Sequence, residues 1–313
     1  MRETAVTAIR VALVGAGKIA RDQHVPALAS TEGIELAAVA DPNASIDGVA
    51  HFKTLDDMLA SKHKIDAVAI CTPPQARHAM AAAALMAGKH VLLEKPPGAT
   101  ISELTPLIAA ARQAGRTLFA AWHSRFAPAV EPARAFLADR EIKSVVVEWK
   151  EDVRVWHPRQ AWIWEPGGIG VFDPGINALS IMTRILPRTF FLTRSELSFP
   201  KNRAAPIAAD LGFSDEAGVP IAVAFDWRQT GPQIWHMHIE TDAGRLTLGG
   251  GGRRLIHGER TLVDDEKAEY PALYRHFAEL IANGVSDVDL SPLVHVADAF
   301  MLGRRRDVEP FED

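Results

Sequence analysis

Between residues 9 and 122, short apolar runs alternate with longer stretches whose apolar positions recur every three or four residues. The runs at 10–14, 35–40, 66–71, 91–94 and 117–122 predict strands, and the stretches at 18–30, 54–62, 76–88 and 102–114 predict helices. Such alternation implies βαβ units with right-handed crossovers, and near-continuous apolarity suits strands covered on both faces of a parallel sheet. After about residue 128 the pattern changes. A helix is predicted near 128–139, a long strand over 145–156, strands at 192–199, 220–227, 234–241 and 244–249, and helices near 174–186 and 271–282. Turn-rich connections between these strands point to a mostly antiparallel sheet. The expected fold class is α/β: a doubly wound parallel sheet in residues 1–124, then an α/β domain with an open, mostly antiparallel sheet in 125–313, the change falling near 123–128.

The first domain carries a glycine loop. VALVGAGKIA places Gly15, Gly17 and Ala20 in G-x-G-x-x-[GA] spacing, after the first strand and at the start of the first helix. Glycines let backbone approach a pyrophosphate, and a helix N-terminus favours its charge, so this loop, with Lys18 and Ile19, predicts a dinucleotide site. Asp41 ends the second strand, where a carboxylate holds ribose hydroxyls and repels a 2′-phosphate, favouring NAD while leaving NADP open. Thr72 and Pro73 follow the strand at 66–71, beside the expected nicotinamide ribose. In HVLLEKPPGAT, Lys95 stands at a strand end, pushed toward extended geometry by Pro96. Ligands of open α/β sheets bind outside such carboxyl ends.

The second domain offers two further sets of polar residues. Along 145–155 the even positions read Val, Glu, Lys, Asp, Arg and the odd ones Val, Val, Trp, Glu, Val, Val. A period of two makes Glu151 the lone carboxylate on the apolar face, where it needs either a cationic partner or a ligand. Trp149, Trp156, Trp162 and Trp164 crowd the same stretch. Aromatic walls with a few placed polar groups suit the alternating C–H and O–H surface of a pyranose. In EPGGIGVFDPGINALS, Asp173 before Pro174 reads as a helix N-cap, and Asn177 stands one turn further along the same face. A carboxylate and an amide so spaced can take a proton from a hydroxyl and hold that hydroxyl.

Composition narrows the partners. Among 313 residues, 48% are hydrophobic and 23% charged, and a net charge of −5 provides no basic field for nucleic acid. Cys71 is the single cysteine, which excludes an internal disulfide and fits a reducing compartment. No apolar stretch reaches a membrane span, and the opening MRETAVTAIRVALVGAG is too short in apolar residues for a secretion leader. A cytoplasmic protein without a metal site is expected, with a small molecule as its partner.

EKPPGAT with Lys95, the early GAGKIA, TPP with His78, and GG-x-x-x-x-D-x-G-x-N together resemble the family of glucose–fructose oxidoreductase and inositol 2-dehydrogenase. The resemblance covers nearly the whole chain and implies a Rossmann domain followed by an open-sheet α/β domain. It implies that Lys95 is the active-site lysine and Asp173 part of the acid–base pair, with His78, Glu94 and Lys95 itself at the cofactor. Most members carry His where this chain has Asn177, and Asn cannot titrate, so base duty passes to Asp173 assisted by Lys95. Asn in that place is similar to the branch of bacterial L-arabinose and D-galactose 1-dehydrogenases, and so is the tryptophan-rich stretch. That branch implies sugar contacts from His123, Glu151, Trp156 and Trp235, and oxidation of an aldose at C1 to its lactone, D-galactose first. Two other readings keep the fold: a dehydrogenase of inositol or another sugar, and a non-catalytic NAD-binding regulator. The resemblance also implies a homodimer paired through the C-terminal sheet, so the polar face of Glu148, Lys150, Asp152 and Arg154 is either solvent-exposed or that interface.

Overall fold

The structure, a computed structural model, describes residues 8–312; residue 313 and the stretch 1–7, where the segment read for a leader begins, lie outside the described residues. The chain divides into two compact units, residues 1–121 with 270–289 and residues 122–269 with 290–313.

In the first unit, β1 (Ile9–Val14), β2 (Ile34–Ala40), β3 (Ala50–Phe52), β4 (Ala67–Ile70), β5 (His90–Glu94) and β6 (Leu118–Ala121) form a sheet in the order 3-2-1-4-5-6. Every pairing is parallel. This is the doubly wound order, whose direction reverses between β1 and β4. Val11 to Leu13, Ala67 to Ile70 and Val91 to Leu93 are fully buried, as the continuous apolar runs require. Helices α1 (Val25–Ser30), α2 (Leu55–Ala60), α3 (Pro74–Met86) and α4 (Leu104–Ala114) connect the strands. The helix expected over 18–30 is interrupted: Ala20–His24 is wound as a π-helix before α1 begins, and His24 is buried. Short β3 carried too few apolar residues to be read as a strand.

In the second unit, α5 (Val130–Leu137) leads into β7 (Ile142–Lys150), followed by α6 (Val153–Trp156) and α7 (Phe172–Ile185). Strands β8 (Phe190–Pro200), β9 (Ala208–Asp215), β10 (Pro220–Asp226), β11 (Ile234–Thr241), β12 (Gly244–Gly249), β13 (Arg254–His257) and β14 (Arg260–Asp264) follow. They are succeeded by α8 (Glu269–Asn283), α9 (Ser291–Met301) and β15 (Arg304–Val308). Among the described residues the sheet has nine strands in the order 14-13-12-11-7-10-9-8-15, antiparallel except where β7 meets β10 and β8 meets β15. Strand β15 is an edge built of Arg304, Arg305 and Arg306, a charged composition that suits an edge and hides it from an apolar pattern.

Two expectations are corrected here. The strand expected over 145–156 ends at Lys150, because Asp152 caps α6 by accepting the Arg154 N–H at 3.0 Å. The alternating polar face therefore stops at Lys150, and Val155 is exposed. The second correction concerns α8, placed by sequence in the second domain. From Tyr270 onward its segment belongs to the first unit: Phe277 stacks on Phe119 at 5.9 Å, and Asp287 exchanges backbone hydrogen bonds with Leu118 and Ala120 at 3.1 and 2.9 Å. No helix among the described residues is long and apolar enough to cross a membrane.

Candidate active site

In the first unit, the loop after β1 is shaped by backbone constraints. Gly15 sits at φ 91°, and a Cβ there would lie 3.1 Å from the Thr72 nitrogen, so only glycine lets the loop cross the end of β4. A Cβ on Gly17 would meet nothing within 4 Å, which leaves that backbone open to approach. Ala20, the third small residue, is buried. Lys18 pairs with Asp22 on the surface, and Ile19 precedes the π-helical turn. Asp41 braces the loop: one carboxylate oxygen accepts the Ala16 N–H at 2.8 Å and the other accepts those of Asn43 and Ala44, each at 2.8 Å. Burial pushes the Asp41 carboxyl up, but these three donors outweigh it and hold the group below the usual carboxylate range. A carboxylate has about four acceptor sites, so capacity for a ribose hydroxyl remains. An open glycine backbone, a helix start and an ionised acid at the end of β2 fit NAD.

Around β5 the side chains turn inward. Glu94, 1% exposed, accepts the Lys95 N–H at 2.6 Å, accepts the Tyr270 hydroxyl, and lies 3.3 Å from His24 Nε2. Its carboxylate, counted by sequence with the cofactor contacts, thus orders the interior of the unit. His78 meets the Glu103 carbonyl through Nδ1 at 2.9 Å. Its neighbour Arg77, absent from the sequence reading, is buried and donates to the carbonyls of Thr72 (2.8 Å), Glu94 and Pro96. Thr72 Oγ1 contacts Met80 Sδ at 3.6 Å, and Pro73 precedes α3, whose first residue is Pro74.

In the second unit, side chains from distant segments converge. Glu151, 3% exposed, accepts indole N–H bonds from Trp235 at 2.9 Å and Trp227 at 3.4 Å. Trp235 stacks on Trp149 (centroids 5.8 Å) and meets Trp156 (5.3 Å). Trp227 contacts His157 (5.5 Å), whose Nε2 lies 3.1 Å from Asp173 Oδ2. Burial pushes the Glu151 carboxyl up to about 7; Asp173 adds to the rise, while His157 and the two indoles oppose it. The partner in the apolar pocket is therefore a pair of indoles, with a histidine nearby, rather than the arginine or lysine that the sequence left open. Strand β7 ends before Glu151, yet Glu151 keeps the buried phase of Val145, Val147 and Trp149.

Asp173, 2% exposed, reaches this cluster because α7 begins earlier than expected. Its N–H donates to the Gly170 carbonyl at 2.8 Å and Val171 caps the helix, so Asp173 lies within the first turn and is not the N-cap. Glycines set the path: a Cβ on Gly168 would lie 2.0 Å from the Trp162 carbonyl, and one on Gly175 would lie 2.5 Å from the Phe225 ring. Half-buried Asn177 follows one turn along α7. His123 pairs through Nδ1 with Glu269 in the same unit. The structure thus brings Glu151, Trp156, Trp235 and Asp173 into one cluster and adds His157 and Trp227, which sequence reading missed. Trp227 followed an apolar run and could have been found there; His157 gave no signal.

Comparison with known proteins supplies the context. Residues 9–122 match the model of an oxidoreductase family with an NAD-binding Rossmann fold. The chain is 46% identical over 97% of its length to galactose 1-dehydrogenase of Pseudomonas fluorescens, covering 99% of that protein. It is 56% identical to the D-galactose-1-dehydrogenase protein from Rhizobium etli, whose crystal structure superposes with a TM-score of 0.94 over 98% of both chains. The 3-ketoreductase KijD10 from Actinomadura kijaniata, solved with TDP-benzene and NADP, superposes with a TM-score of 0.81 over 96% of this chain and 99% of its own; at 19% identity it shares the fold. The chain belongs to the oxidoreductase family with an NAD-binding Rossmann fold.

Proposed function

We propose that this oxidoreductase is a sugar dehydrogenase that oxidises D-galactose at C1 to the lactone, accepts L-arabinose and D-fucose as well, and prefers NAD to NADP. The observation that carries the reading is Glu151, a carboxylate with a pKa near 7 held by two indole N–H groups among tryptophan rings. It can accept or donate a hydrogen bond to a ring hydroxyl while the rings cover C–H faces. Asp173 takes the proton of the C1 hydroxyl, with His157 Nε2 at 3.1 Å to steady the carboxylate. Asn177 holds that hydroxyl. To Lys95 we assign stabilisation of the charge that develops on the oxygen being oxidised. His123, Trp156 and Trp235 complete the sugar contacts. Bound NAD would supply the acceptor for the C1 hydride, held by Gly15, Gly17, Lys18, Ile19, Asp41, Thr72, Pro73 and His78.

A sugar panel followed by absorbance of the reduced cofactor tests the reading. D-Galactose, L-arabinose and D-fucose share ring stereochemistry from C2 to C4 and should all turn over. D-Glucose inverts C4 and leaves a buried polar group unpaired, a penalty of about 1–3 kcal/mol. Equal turnover of glucose or an inositol overturns the assignment.

A further inference from the structure

Past Glu94 the chain leaves the ladder: the last pairings of β5 are Leu93 with Ile70 and Glu94 with Ala121. The peptide groups around Lys95 are instead held by two buried charged side chains. Glu94 accepts the Lys95 N–H at 2.6 Å, and Arg77 donates to the carbonyls on both sides of Lys95, those of Glu94 and Pro96. The same guanidinium reaches back through Nε to the Thr72 carbonyl at 2.8 Å, just beyond β4. Arg77 is 4% exposed, and burying a cation costs several kcal/mol unless well-placed acceptors compensate it. Its planar fork offers donors in fixed directions, whereas a lysine is a compact point charge. Here that fork ties α3, the β4 loop and the end of β5 at the residue whose direction matters most.

We propose that Arg77 is a positioning residue for Lys95, fixing the direction of the lysine by gripping the carbonyls that flank it. This rests on the reading of Lys95 as a residue of the reaction. Misplacement by about 1 Å costs roughly a hundredfold in rate. Arg77→Lys should therefore lower kcat with galactose by about tenfold or more, and Arg77→Gln further, with NAD affinity and sugar KM within about threefold of the parent. In a Lys95→Ala background, whose residual rate is measured with concentrated enzyme, the same Arg77 changes should alter kcat by less than about twofold, because their route runs through Lys95. Normal turnover of Lys95→Ala alone overturns the reading of Lys95. A slow Lys95→Ala beside a normal Arg77→Lys overturns only the present inference. So does a weakened NAD affinity with kcat intact, which would assign Arg77 to the cofactor loop through Thr72. Failure of both Arg77 variants to fold, judged by thermal unfolding and NAD binding, would assign Arg77 to stability and overturn it too.

Discussion

The two units present their polar groups in opposite ways. At the end of β1 the candidate cofactor surface is backbone: open at Gly17, forced by the left-handed Gly15, and braced by a single carboxylate, Asp41. In the second unit the candidate site is made of side chains: Glu151 is held by two indole N–H groups, and His157, against Trp227, lies 3.1 Å from Asp173. A backbone site tolerates many nearby substitutions but few at its glycines. A side-chain site depends on every donor and acceptor, because a buried group left without its partner carries the full desolvation cost.

The largest expected effect lies in the second unit. Asp173→Ala should lower kcat by roughly a hundredfold or more, the scale of a lost general base. NAD affinity, measured by fluorescence titration, should stay unchanged; a variant with near-normal turnover would remove Asp173 from the proton path. The converse test is Gly15→Ala, whose Cβ would press on the Thr72 nitrogen at 3.1 Å in a backbone conformation that disfavours side chains. NAD affinity should fall by about tenfold or more, since such strain costs roughly 1–3 kcal/mol. Unchanged affinity would show that the loop is not the cofactor cradle.

Trp235→Phe sharpens the comparison because it keeps a ring and removes one N–H from Glu151. Loss of that donor should reduce kcat/KM for galactose by roughly fivefold to a hundredfold, as expected for about 1–3 kcal/mol. NAD affinity should be untouched, and a parallel loss of both would break the division of labour. For Asp41→Ser, the ratio of kcat/KM with NAD to that with NADP should fall; equal efficiencies in the parent protein would remove Asp41 from cofactor choice. The serine also loses the brace on Ala16, so some loss with both cofactors should accompany the change.

The remaining effect is on stability and its pH dependence, not on turnover. Glu151 ionises near 7 in the folded chain against an ordinary 4.5. Its folded pKa is raised, so its contribution to stability is fully present below about 4.5 and lost as pH rises through about 7. At about 1.4 kcal/mol per pKa unit, the rise from 4.5 to about 7 makes the loss at most about 3–4 kcal/mol. Glu151→Gln should abolish this dependence, so denaturant midpoints of variant and parent should diverge in the variant's favour between those pH values. A difference that does not change with pH would mean that Glu151 titrates normally.

Sequence alone determined the elements whose causes lie within a few neighbouring residues. The glycine spacing, the acid ending β2 and the lysine ending β5 are local, because strand, turn and helix start are settled by adjacent backbone preferences. Period-two alternation even put Glu151 on the buried side, though the strand stops one residue short of it. Only the tertiary structure decided what these residues meet. Glu151 finds its indoles 76 and 84 residues away, and no spacing in the chain encodes that meeting. Adjacent Arg77 and His78 could not be ranked from the sequence, since the side that α3 turns inward depends on its packing; the structure turns Arg77 toward the Lys95 peptide and His78 toward Glu103. Membership of 270–289 in the first unit was equally hidden, because an amphipathic helix shows that it has an apolar face and not which core receives it.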